Sequence, residues 1–114
     1  MYGLQGKIIA KPGRRDALIA LLLEASTGEQ MPGCRLYVVS EIPSEPDAAS
    51  VSEVWDDKAA HDASLQLERV RAVMTRARPL IAEMGESLEL RPVGGQGLVS
   101  PRPARGSARP DRGG

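Results

Sequence analysis

The chain has 114 residues, 41% of them hydrophobic and 26% charged, which suits one small globular domain and excludes a chain disordered throughout. Fifteen basic side chains balance fifteen acidic ones, but four arginines and one acid lie from Leu98 onward, leaving residues 1–97 with 11 basic against 14 acidic groups. That mildly acidic body has no basic footprint for nucleic acid, and the longest apolar run, Ala17 to Leu23, is too short to cross a membrane.

Residues 3–10 alternate loosely, with Leu4, Ile8 and Ala10 on one face, and read as a strand. Lys11-Pro12-Gly13 breaks it, and a proline there suits a helix start. Arg14 to Ala25 follows as a helix with Leu18, Leu21, Leu22 and Ala25 at helical spacing, ended by Gly28. Ile19 and Leu23 widen its apolar stripe, a first sign that it needs cover on more than one side. After the Pro32-Gly33 turn, Cys34 to Ile42 is rich in strand formers. Pro43 to Ala49 reads as a loop and Ser50 to Trp55 as the second arm of a hairpin.

Asp56 is placed to cap a helix over residues 57–65, with Asp57 in its first turn. A further helical stretch begins near Glu68, with Val70, Val73, Met74, Ala77 and Ile81 on one face, until Pro79 kinks or ends it. Gly85 closes that region, and Glu86 to Pro92 is the last strand. Gly, Pro, Ser and Arg then dominate without periodicity, so the expected organisation is a domain over 1–95 and a flexible tail over 96–114.

The order β-α-β-β-α-β predicts an α+β fold, the ferredoxin-like split βαβ unit with helices on one face of an antiparallel sheet. The strand over residues 34–42 is apolar on both faces, Leu36 and Val38 on one and Tyr37 and Val39 on the other. An apolar sheet face left open predicts a homodimer in which two sheets meet. Cys34, the only cysteine, can form no intramolecular disulfide and reads as an inert packed thiol. No charged segment followed by an apolar one opens the sequence, so a cytoplasmic location is expected. No histidine or cysteine spacing suggests a metal site.

With these landmarks in place the chain resembles the antibiotic biosynthesis monooxygenase family, especially its quinol monooxygenase-like members. The resemblance runs over roughly residues 2–95. It rests on Lys11-Pro12-Gly13, on Pro-Gly-Cys-Arg-Leu-Tyr (32–37), on Glu53-Val54-Trp55 and on Asp57-Lys58-Ala59-Ala60-His61. Arg-Pro-Leu-Ile (78–81) and Leu-Arg-Pro-Val (90–93) complete it. It implies a dimeric α/β barrel with a pocket between each sheet and its helices. It also implies oxygenation of a small phenol or hydroquinol by O2 with no cofactor.

That chemistry asks the protein for a dry apolar slot, orientation and one proton acceptor. His61 is the only histidine and the candidate catalytic base, with Asp57 four residues earlier placed to hold it. Quinol-oxidising relatives carry further histidines near the positions of Ser64 and Arg69, so His61 stands alone in the role here. In the haem-degrading branch an iron-binding histidine falls near Met74, so haem degradation is not expected. Trp55, Tyr37 and Arg78 are the candidate substrate-binding residues, for stacking on a planar ligand, hydrogen bonding a phenolic oxygen and orienting an anionic group. Each has an ordinary structural reading as well. The alternatives are a non-catalytic dimeric binding or accessory protein and an isomerase of a small carbonyl compound on the same fold.

Overall fold

A computed structural model describes residues 1–26 and 31–98. Its elements in chain order are β1 (Tyr2–Ala10), α1 (Arg15–Ser26), β2 (Cys34–Glu41), β3 (Ala48–Trp55), α2 (Lys58–Ser64), α3 (Glu68–Ala77) and β4 (Ile81–Leu90), with a 3-10 turn at Arg78–Leu80 before β4. The strands form one antiparallel sheet in the order β2-β3-β1-β4, the ferredoxin-like arrangement anticipated from the sequence. Among the described residues no helix is long and apolar enough to cross a membrane.

Strand alternation decides what meets the helices. Ile8 and Ala10 of β1 and Val51 of β3 join Leu18, Leu21, Leu22 and Ala25 of α1 and Val73 and Ala77 of α3 in the main core. Leu18 is fully buried, a contribution of about 1.5–3 kcal/mol for a side chain of its kind. A second cluster gathers Met31 and Val70 around Trp55. Tyr37 touches both clusters, so it stands where the two halves of the core join.

On the other face the cross-strand registers line up Leu36, Val54, Gly3 and Leu90, and beside them Val38, Ser52, Gln5 and Leu88. Val38, Leu88 and Leu90 are exposed there.

Four local expectations are corrected. Asp57, not Asp56, caps α2: its backbone is extended (φ −159°, ψ 174°) and its Oδ1 accepts from the Ala60 N–H at 2.8 Å. Asp56 is taken by Arg35, whose Nε lies 2.6 Å from Oδ1. β3 begins at Ala48, inside the expected loop, because Ala48 and Ala49 are already paired with Ile9 and Ile8.

The last strand begins at Ile81, five residues before the expected start, with Ile81 paired to Ala10 rather than riding on α3. Gly85 lies inside the strand. The pairing runs from Gly6↔Ser87 to Ile8↔Met84, so one extra β4 residue is accommodated opposite Lys7. A Cβ at Gly85 would stand 3.1 Å from the Lys7 carbonyl oxygen, a tight approach that favours glycine at this bulge. Pro79 ends α3 as expected, in the 3-10 turn. Gly28 and residues 99–114 of the tail lie outside the described residues.

Candidate functional site

Between the helix-facing side of the sheet and the helices is a pocket of about 340 Å³. Its floor comes from alternate strand positions: Leu4, Gly6 and Ile8 on β1, Tyr37 on β2, and Val51, Glu53 and Trp55 on β3. Leu22 and Ala25 of α1, Val70 and Met74 of α3, and His61 and Ser64 of α2 close it from above. This is the size and apolar character of a small-molecule site.

His61 lies in its wall with 15% of the side chain exposed. The ring sits between Tyr2 (centroids 5.6 Å apart, tilted 49°) and the edge of Trp55 (5.7 Å, 79°). Its Nδ1 meets Asp62 Oδ1 at 3.0 Å. Hydrogen bonds from His61 and then Lys58 hold the Asp62 carboxyl below its usual pKa, so it is an acceptor. Nδ1 therefore carries the proton, and in the neutral ring Nε2 is left with a lone pair. The orienting carboxylate is the next residue along, not Asp57, whose side chain is used in the helix cap.

Trp55 is 1% exposed and belongs to the core as well as to the pocket. Its Nε1 donates to Glu53 Oε1 at 2.9 Å. Tyr37 flanks Glu53 across the β2–β3 ladder. Burial first, and the Glu53 charge second, push the Tyr37 phenol up to about 12. It stays protonated near neutrality and can serve as a hydrogen-bonding group but not as a base. Ser64 turns its hydroxyl back onto the His61 carbonyl at 2.6 Å.

Residues 1–76 match the family model for antibiotic biosynthesis monooxygenase. A solved structure from Chloroflexus aurantiacus J-10-fl, named for this family, is 50% identical, with 86% of this chain and 98% of that chain covered at a TM-score of 0.82. The chain belongs to this family. No curated protein matches it. Two further structures named for the family share the fold. One, from Deinococcus radiodurans, is 24% identical at a TM-score of 0.70, covering 88% of this chain and all of that one. The other, from Caulobacter crescentus CB15, is 17% identical at 0.74, covering 82% and 90%.

Of the four site residues anticipated in this antibiotic biosynthesis monooxygenase domain, His61, Trp55 and Tyr37 line one pocket. Arg78 does not. It is exposed in the 3-10 turn after α3 and takes no part in the pocket wall. Glu53 is the pocket residue that the sequence reading passed over as a functional group. Its signal was its parity: Val51, Glu53 and Trp55 share one face of β3, so an acid at the middle position must face the helices. Among the described residues there is no cluster of three or more His, Cys, Asp or Glu able to hold a metal ion.

Proposed function

We propose that this chain is a cofactor-independent monooxygenase that oxidises a small phenol or hydroquinol with O2 in the pocket between sheet and helices. The observation that carries the reading is an imidazole oriented by a carboxylate, Asp62–His61, set in the wall of an otherwise mostly apolar pocket beside Trp55.

The residues suit the reaction as follows. His61 Nε2 takes a hydroxyl proton from the bound ring, leaving an electron-rich anion. That anion passes one electron to O2, and the ring radical and superoxide recombine to form a C–O bond at a ring carbon bearing hydrogen. The proton held by His61 returns to the peroxide. Loss of the ring hydrogen as a proton breaks the O–O bond, so one oxygen remains as a new C=O and the other leaves as water. Oxygen supplies the oxidising equivalents and the substrate all the electrons. The protein's part is alignment, a dry environment and one proton acceptor.

The test is oxygen uptake by metal-free protein with a panel of hydroquinones and polycyclic phenols, run beside Gly6→Val. Gly6 lines the floor, and a Cβ there meets nothing closer than Ser87 Cβ at 3.5 Å, so the added side chain enters the cavity without displacing backbone. Uptake above the spontaneous rate is expected, reduced at least about tenfold by Gly6→Val, the scale of a lost apolar contact or two. Uptake equal in the two proteins would remove the pocket from the reaction. No uptake across the panel, with ligand binding retained, would favour a binding protein.

The working unit in this reading is a homodimer. The exposed Val38, Leu88 and Leu90 share one sheet face that no helix covers, and a second copy is the occupant the fold suits. Light scattering should give twice the chain mass of 12.2 kDa, and a monomer at assay concentration would end this part of the reading.

A further inference from the structure

We infer that Glu53 makes the pocket selective for the redox state of its ligand, accepting a hydroxyl of a reduced dihydroxy-aromatic and turning away the corresponding quinone. The inference rests on the same pocket being the substrate site, and it goes further by assigning a residue outside the proton-transfer step.

Glu53 is a half-buried acid on an apolar floor. Val51 and Trp55 stand before and after it on β3, and Leu4 and Tyr37 flank it across the ladders. Oε1 accepts from the Trp55 indole at 2.9 Å, and Oε2 takes no hydrogen bond among the described residues. Nor does any cation there pair with it: Lys7 lies against Glu45 and Lys58 against Asp62, while Arg35 holds Asp56. Half-buried in the wall of an apolar pocket, with one oxygen uncommitted, the Glu53 side chain is placed to accept a hydrogen bond from a donor on whatever fills the cavity.

The other acceptor in the wall is His61 Nε2 in the neutral ring, with Nδ1 engaged by Asp62. The Tyr37 and Ser87 hydroxyls can turn either way and do not discriminate. A ligand that reaches both Glu53 and His61 is held best when it donates to each from an apolar frame. A hydroquinol does so. Its quinone presents two carbonyl oxygens, each facing a lone pair. A site with this polarity gathers the reduced form and weakens its hold as oxidation removes the hydroxyl protons, so product leaves.

The experiment is calorimetric titration under argon, where no turnover occurs, with 1,4-dihydroxynaphthalene and 1,4-naphthoquinone separately. Wild type is compared with Glu53→Gln. The glutamine oxygen can still accept from Trp55, while its NH2 puts a donor where Oε2 stood. Wild type should bind the hydroquinone at least about tenfold more tightly than the quinone, and Glu53→Gln should erase that ratio, the scale of one hydrogen bond to a charged acceptor. An equal preference in wild type and a folded variant overturns the inference, as does a wild type that binds neither form or both alike. If the variant fails to fold, wild type is titrated with 1,4-dimethoxynaphthalene, which cannot donate, and binding as tight as that of the hydroquinone overturns it. Oxygen uptake can fail while the binding ratio holds, which sinks the oxygenase reading alone. Uptake with an unmoved ratio sinks this inference alone.

Discussion

Replacing His61 with alanine should lower oxygen uptake by a hydroquinol about 100-fold or more, while the thermal midpoint moves by only a few degrees. General-base catalysis by a positioned side chain is worth roughly 10²–10⁴ in rate. The imidazole sits at the edge of the fold's packing, touching Tyr2 and Trp55 through ring contacts rather than filling the core centre. Activity and stability should therefore separate. Asp62→Asn gives the graded companion. It keeps the shape of the partner but removes the carboxylate that fixes the Nδ1 proton, so its loss should be smaller than that of His61→Ala. Uptake unchanged by His61→Ala would leave the oxygenase in place and take the imidazole out of its mechanism. Steady-state oxygen consumption beside circular-dichroism melts decides among these.

Much of the architecture is legible in the residues because it depends on short-range pattern. The helical spacing of Leu18, Leu21, Leu22 and Ala25 places α1, and all four are buried. Alternation places Tyr37 and Val39 toward the core and Val38 away from it. What could not be read locally depends on partners distant in sequence. Gly85 looks like a terminator when only its neighbours are considered, and its use as a bulge residue is visible only once β4 is laid against Lys7 of β1. Asp56 looks like the cap from its neighbours alone, but Arg35, 21 residues earlier in the chain, holds Asp56 and the cap falls to Asp57.

The site divides in the same way. His61, Trp55 and Tyr37 could be named from residue type, and the fold brings them together because β2, β3 and α2 meet at one end of the sheet. Arg78 was named by type too, yet its turn carries it into solvent. Glu53 carries no signal by type, because charged side chains are mostly exposed. Parity overrules that tendency where the residues at i−2 and i+2 are buried, as Val51 and Trp55 are. An acid held against that pattern marks where a fold gives up packing for a polar function.

Trp55 is where that exchange is most costly to disturb. Trp55→Ala should destabilise the domain by about 3–5 kcal/mol, the range for removing a large aromatic from a core. Its side chain is one of the two largest that are fully buried, and it organises the cluster of Met31 and Val70 with Tyr2, Tyr37 and Met74 packed on it. Removal also leaves Glu53 Oε1 without its donor in the pocket wall, adding the loss of a part-buried hydrogen bond. Trp55→Phe separates the two terms. Phenylalanine restores most of the apolar contact but not the indole N–H, so its remaining deficit should be the smaller and largely that of the lost hydrogen bond. Replacing Glu53 as well then tests the coupling: with the carboxylate gone, Phe at position 55 should cost less than it does with Glu53 present. Urea unfolding of the two single variants and the double variant measures it. Strict additivity would mean that the Trp55–Glu53 contact carries no stability of its own.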